Sequence, residues 1–239
     1  TDNMSLIGLT IDYGPYGWLD IVDSGWTPNT SDNAQRRYAF GNQPNVGAWN
    51  IMKLAEALYP LVEEAGPLQE VLDQYRSSFQ EHYTVLRYQK LGLKLPSTPA
   101  KNSVVNRLYE IMEHTETDFT VLFRCLSNLT NEELEKSSSV EHHTGLISRA
   151  FYQYETWDVS MHERWSQWLL SYREVLLADG LTDAERISSM RSVNPKYTFR
   201  NYLAQLAIDD IMEGRTKVLE RLHRVLKTPF DEHEDCEEW

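Results

Sequence analysis

Thr1-Asp2-Asn3-Met4-Ser5-Leu6-Ile7-Gly8-Leu9-Thr10-Ile11-Asp12-Tyr13-Gly14-Pro15 opens the chain, and its reading decides the fold class and the chemistry together. Asn3 stands nine residues, and Asp2 ten, before a second acid, Asp12, with an apolar strand-like run between. If that run folds back at Gly8, its two polar ends meet on one side of a hairpin. Asn3 then offers a carbonyl oxygen and Asp12 a carboxylate to one hard cation. Mg²⁺ suits such a pair, because it keeps several waters and takes one or two protein oxygens plus substrate phosphates. Taken alone, an Asp-Asn pair and a distant Asp are more often turn and cap chemistry.

The turn-rich character continues past this stretch. Five of the eleven glycines precede residue 44, among Pro, Asn and Asp. Tyr16-Gly17-Trp18-Leu19 reads as a second short strand. From Pro44 onward the period becomes helical. Leu68, Val71, Leu72, Tyr75 and Phe79 form one apolar stripe at spacings of three and four. Trp165, Trp168, Leu169, Tyr172 and Leu176 form another, and Val218, Leu219, Leu222, Val225 and Leu226 a third. Further helices are expected over 46–59, 102–113, 117–127, 182–190 and 197–213. Asn102, Pro67 and the Thr182/Glu185 capping-box pair read as start signals. Gly92, Gly180 and Gly214 read as left-handed stops, and 93–101 and 131–139 as surface loops. The expectation is a mainly α fold with a short β-hairpin and loop region at its front. Residues 1–43 carry the site, 44–230 form the helical lobe of the same domain, and 231–239 are an acidic, solvated tail.

The chain has 239 residues and a formal charge of −13, from 23 Lys and Arg against 36 Asp and Glu. The last nine residues hold six of those acids, so the body carries −7. A body of that sign repels phosphate backbones and anionic lipid, so neither a nucleic acid nor a membrane is expected as partner. No apolar run approaches the roughly 18 residues that span a bilayer. Two cysteines are too few for a disulfide framework and fit a reducing compartment. The chain opens at Thr1, without a Met and inside functional sequence, and is expected to be a soluble intracellular protein or a piece of one.

Protein kinases hold metal against ATP phosphates with an Asn that ends the catalytic loop and an Asp that opens Asp-Phe-Gly. Asp12-Tyr13-Gly14 resembles that tripeptide. The interval from Asn3 is shorter than in ordinary kinases, however, and the acid sits immediately before the Asn, so a kinase-like fold with altered chemistry fits better. Residues 1–15 closely resemble the selenoprotein O family of protein adenylyltransferases. The likeness continues in Arg36-Arg37-Tyr38, Asn42-Gln43-Pro44 and Trp49-Asn50, and returns in Asn194-Pro195-Lys196-Tyr197, Arg200-Asn201-Tyr202-Leu203-Ala204-Gln205 and Pro229-Phe230-Asp231-Glu232.

The resemblance implies the C-terminal lobe of a protein-kinase-like enzyme that transfers AMP from ATP to Ser, Thr or Tyr hydroxyls of protein substrates. Asp2 matches the family's proton acceptor. Asn3 and Asp12 match its Mg²⁺ ligands, with Asp12 also close to the nucleotide. The family's phosphate-contacting glycines, lysine and arginines lie upstream, so the resemblance implies the C-terminal half, inactive alone. It places the protein in the cytoplasm of a bacterium or the mitochondrion of a eukaryote. Ordinary phosphoryl transfer and a non-catalytic pseudokinase scaffold stay open beside this reading.

Several other features have plainer readings. Arg36 and Arg37 can grip a phosphate or bridge loop carboxylates. Asn42-Gln43-Pro44 shapes entry to a helix. Glu141-His142-His143 is not a zinc motif, since adjacent helical residues point about 100° apart. Trp165 and Trp168 are core, Cys125 is buried and inert, and Lys196 and Arg200 either pack or neutralise acids near the front. No redox role is carried over to Cys236.

Overall fold

A computed structural model describes residues 4–5, 19–27, 32, 34–136 and 139–239. Asp2, Asn3 and Asp12 lie outside the described residues, as do the strands expected over 6–11 and 16–19, apart from Leu19. The described chain is mainly helical, as expected. It forms α1 (Gln43–Val62), α2 (Ala65–Lys90), α3 (Pro99–Glu113), α4 (Phe119–Leu126), α5 (Asn131–Glu135), α6 (Val140–Gly145), α7 (Val159–Asp179), α8 (Asp183–Val193), α9 (Asn201–Met212) and α10 (Lys217–Lys227). Isolated strand pairing among the described residues consists of two antiparallel bridges, Ile21 with Asp118 and Thr117 with Phe151. None of the described helices is long and apolar enough to cross a membrane. The chain divides into two compact units, residues 1–19 with 23–85 and residues 20–22 with 86–239.

In the first unit the loop before α1 is organised by Asp32. Its carboxylate accepts from the main-chain N–H of Arg37 at 2.9 Å and Tyr38 at 2.7 Å, and its carbonyl from Arg36 at 2.7 Å. Arg36 occupies the left-handed region, with φ 49°. The amide side chains of Asn42 and Gln43 donate to the carbonyls of Arg37 and Tyr38, and Pro44 occupies the first turn of α1. Asn42-Gln43-Pro44 therefore shapes helix entry as its residue types suggested. Tyr75 of α2 donates its hydroxyl to Pro44 O at 3.0 Å, passing over Gly47, where a Cβ would collide with the phenol. Between α1 and α2 runs a groove of about 560 Å³ lined by Ala48, Trp49, Met52, Leu72, Tyr75 and Phe79 among others.

The second unit is built around α7. Helices α3, α5 and α6 pack on it, and it buries Trp165, Trp168, Leu169 and Tyr172 completely. The stripe is core, as its spacing implied. Two of its polar tips are satisfied: Trp168 Nε1 donates to Val104 O at 2.9 Å and Tyr172 hydroxyl to Leu91 O at 2.8 Å. Burial pushes the Tyr172 phenol up to about 12. The predicted glycine stops hold: Gly92, Gly180 and Gly214 have φ of 65°, 67° and 78°. The Thr182/Glu185 capping box also forms as read.

Other expectations are corrected. The loop over 93–101 ends early, because Thr98 caps α3 by accepting from Lys101 N, so the cap is Thr98 and not Asn102. The loop over 131–139 contains α5, which Thr130 and Glu133 open with a second capping box. The expected solvated tail is also packed. Its Glu232 pairs with Arg124 at 2.6 Å and with Lys196, and Glu237 pairs with Lys196 too. Asp235 pairs with Arg224, and Glu238 with Arg221 at 2.7 Å. Cys236 is fully buried beside Tyr197 and Val225, and Trp239 packs against both small clusters of the α9–α10 region. Acids that repel one another in a free run are neutralised here by cations from α4, α10 and the 196 region.

Lys90, at the end of α2, illustrates a charge that burial penalises. Its ammonium donates to Asn194 Oδ1 at 3.0 Å and lies 5.0 and 4.7 Å from the ring centroids of Phe119 and Phe123. Burial lowers its pKa from 10.5 to about 8. Between pH 8 and 10.5 the unfolded chain therefore binds more protons than the folded one, and stability contributed at this site rises with pH across that window. Denaturant titrations should show the protein gaining about 1–2 kcal/mol on Lys90→Met between pH 7.5 and 10. Parallel pH curves for the two would contradict this burial effect.

Candidate functional site

Met4 and Ser5 are the described residues of the opening stretch, following Asp2-Asn3 directly in the chain. They line a cavity of about 280 Å³ whose opposite wall is α1, through Asn50, Ile51, Lys53, Leu54 and Ala57. Three of those residues are aliphatic. The Lys53 ammonium is engaged by the Glu56 carboxylate, at 2.7 and 2.9 Å. Asn50 is 7% exposed, and its Oδ1 has no hydrogen-bond partner among the described residues. In the loop before α1, the Arg37 guanidinium lies 4.1 Å from the centroid of Trp49 and 5.6 Å from that of Tyr38, with Nη2 buried and without a hydrogen-bond partner among the described residues. Among the described residues, Arg37 therefore stacks on aromatic faces.

In the second unit a separate network receives residues 20–22. Ile21 bridges to Asp118, and Phe119 N donates to Asp20 O at 3.1 Å. Asp118 caps α4 by accepting from Val121 N at 2.9 Å. The same carboxylate takes Arg200 in a fork, Nη1 at 2.6 Å and Nη2 at 3.1 Å, and accepts from the Tyr152 hydroxyl at 3.2 Å. Arg200 Nη1 also reaches Asp20 at 3.2 Å. Burial raises the Asp20 carboxyl above its usual range, with Arg200 opposing and Asp118 adding to the shift. Burial together with the Asp118 charge pushes the Tyr152 phenol up to about 12. The forked pair is a structural tie: both Arg200 nitrogens and both Asp118 oxygens are used within it.

A model of the family described as protein adenylyltransferase SelO matches residues 1–227. The chain belongs to the SelO family. It is 41% identical over 239 residues to a protein nucleotidyltransferase YdiU of Flavobacterium johnsoniae, covering 100% of this chain and 45% of that relative. It is 40% identical over 241 residues to one of Rhodopirellula baltica, covering 97% and 44%. A third, of Methylobacillus flagellatus, is 40% identical over 232 residues, covering 97% and 43%. The chain thus spans less than half the length of these relatives.

Within this SelO-family chain, Asp2, Asn3 and Asp12 fall outside the described residues. Among the described residues no group of three or more His, Cys, Asp or Glu is placed to hold a metal ion. His143 is a satisfied core histidine, buried with Nδ1 2.8 Å from Ser166 Oγ and Nε2 3.2 Å from Leu134 O. Burial raises the thiol of half-buried Cys125, disfavouring its thiolate. Cys236 accepts from Arg221 Nε at 3.0 Å. Arg200 does neutralise an acid of the front segment, Asp20, whereas Lys196 serves the C-terminal acids. Reading the sequence had assigned no role to Asn50 or Asp118. An Asn amid the apolar positions of a helix expected over 46–59 was the available signal for the first.

Proposed function

We propose that the polypeptide carrying this chain is an ATP- and Mg²⁺-dependent protein adenylyltransferase of kinase-like fold, moving AMP onto Ser, Thr or Tyr hydroxyls of proteins. The observation that carries the reading is the match of the adenylyltransferase family model across residues 1–227, which includes Asp2, Asn3 and Asp12. The donor set fits the metal: one amide oxygen and one carboxylate are the hard, oxygen-only ligands Mg²⁺ takes while keeping water and phosphate oxygens. When bound, the cation neutralises charge that develops on the phosphates.

The chain's own residues do the rest. Asp2 lies next to a metal ligand in sequence and accepts the proton of the attacking hydroxyl as its oxygen meets the α-phosphorus. Asn3 and Asp12 would hold the Mg²⁺ through their side-chain oxygens, with Asp12 also close to the nucleotide. Pyrophosphate leaves, and the product is a phosphodiester between AMP and the protein hydroxyl. This assignment extends to the whole polypeptide, of which the YdiU relatives are more than twice this length; the chain alone is inactive in the proposal.

Incubation of the complete polypeptide with ATP labelled at the α- or γ-phosphate tests it. Label retained on protein from α-labelled ATP alone is the expected result. Retention of the γ label would replace the reading with phosphoryl transfer, and retention of neither with a non-catalytic scaffold.

A further inference from the structure

Two apolar stripes of the same helical spacing end differently in this chain. That of α7 is core, whereas Leu68, Val71, Leu72, Tyr75 and Phe79 of α2 stay half-buried or exposed, Val71 at 53% and Phe79 at 36%. Tyr88, near the end, is the one buried residue among the 26 of α2. Helix α1 shows the same contrast more strongly. Lys53 and Glu56 are its only charges in 20 residues, and they pair with each other, yet Val46 and Asn50 alone are buried. Near its end Leu61 is 81% exposed and Tyr59 49%. A helix apolar over most of its surface belongs in an interior, and helices in proteins are held chiefly by packing an apolar face. These two helices therefore lack most of the cover that their composition calls for.

Their open faces flank the groove of about 560 Å³. Ala48, Trp49 and Met52 line one side, Leu72, Tyr75 and Phe79 the other, and Arg76 alone of the described lining residues is charged. Phe79 extends its wall by stacking on Tyr83, with ring centroids 5.7 Å apart. A contiguous apolar surface of this kind marks an interaction site. Its shortage of charge fits a permanent interface, which is more apolar than a transient one, so the occupant is present whenever the protein is folded. The relatives point to one. Matching this chain over 97–100% of its length, they are more than twice as long. A remainder tethered to this chain meets it at an effective concentration on the order of millimolar, which a free second copy does not reach. We propose that the α1–α2 groove is an internal interface of the complete polypeptide, filled by an apolar face of the part that lies outside this chain. The inference is independent of the proposed adenylyl transfer, because it concerns what covers two helices and no chemical step.

Photo-cross-linking of the complete polypeptide tests this. Phe79→p-benzoylphenylalanine places a reactive ketone in the groove wall. Arg76→p-benzoylphenylalanine places one at an exposed lining position, so the result does not hang on one variant folding. After irradiation and digestion, mass spectrometry is expected to find both joined to peptides outside residues 1–239, in material of monomer mass. Joining to a second copy would make the groove a dimer interface, and joining within residues 1–239 would make this chain its own cover. Absence of any cross-link would leave the groove open to water. Each of those three results overturns the proposal. Thermal melts of the complete polypeptide give a second reading. Phe79→Glu puts a charge into the filled groove and is expected to lower the melting temperature by about 5 °C or more. Gln74→Glu, about 140° around α2 from Phe79, should stay within about 1 °C of the unsubstituted protein. Equal, small shifts would show that α2 presents both sides to water and would overturn the proposal as well.

Discussion

Asp12→Ala in the complete polypeptide is expected to cut incorporation of α-labelled AMP into protein by about a thousandfold. The argument starts from charge. Transfer at the α-phosphorus develops negative charge on the phosphate oxygens and the departing pyrophosphate, and a divalent cation offsets several kcal/mol of it. Each 1.36 kcal/mol corresponds to a factor of ten in rate, so losing about 4 kcal/mol of that stabilisation gives the stated drop. Asp2→Ala should cost about 10²–10⁴-fold by removing the proposed proton acceptor, with nucleotide affinity kept. Equilibrium binding of a non-hydrolysable ATP analogue separates the two: weakened with Mg²⁺ in Asp12→Ala, unchanged in Asp2→Ala. Labelling by Asp12→Ala at the unsubstituted rate would remove the proposed metal site.

Asp118→Ala is expected to be the most destabilising single substitution at the Asp20–Asp118–Arg200 network, by about 3–5 kcal/mol. Asp118 is 6% exposed, and it is the shared acceptor for the α4 cap, the Arg200 fork and the Tyr152 hydroxyl. Truncation strands a guanidinium whose side chain is 10% exposed, leaving it one 3.2 Å contact to Asp20. It also removes a helix cap that by itself is typically worth about 1 kcal/mol. Asp20→Ala should cost under about 1 kcal/mol by comparison, because Asp20 is 27% exposed and holds a single arm of the fork. Urea titrations of both variants decide the matter. Equal, small shifts in midpoint would show that the fork contributes little to holding α4 and the α9 entry together.

The local features were the legible ones. Short-range physics governs a capping box at Thr182 and Glu185, a left-handed glycine after each of three helices, and a tryptophan stripe at spacings of three and four. All appear where the residues imply them. The opening stretch carried enough specific positions to resemble the family that the comparisons show, although the site residues within it lie outside the described structure. The polar run after Thr130 reads as a loop although it carries the same local capping box, Thr130 with Glu133. What no local pattern supplies is a partner distant in the chain, as when Asn131 pairs with Asp183, 52 residues on.

Alone, the order of residues determined a mainly helical chain, its principal helix stops and its membership of a nucleotide-transferring family. These follow from interactions spanning a few residues and from a motif whose chemistry lies in its spacing. Tertiary structure decided what the charges and amides do. It docked the acidic end on Arg124, Lys196, Arg221 and Arg224. It joined Asp20, Asp118 and Arg200 from three separated stretches and buried the Asn50 oxygen without a partner among the described residues. The strength of a charge or a lone polar atom depends on burial and on which group lies opposite it, and both are set only when distant parts of the chain meet.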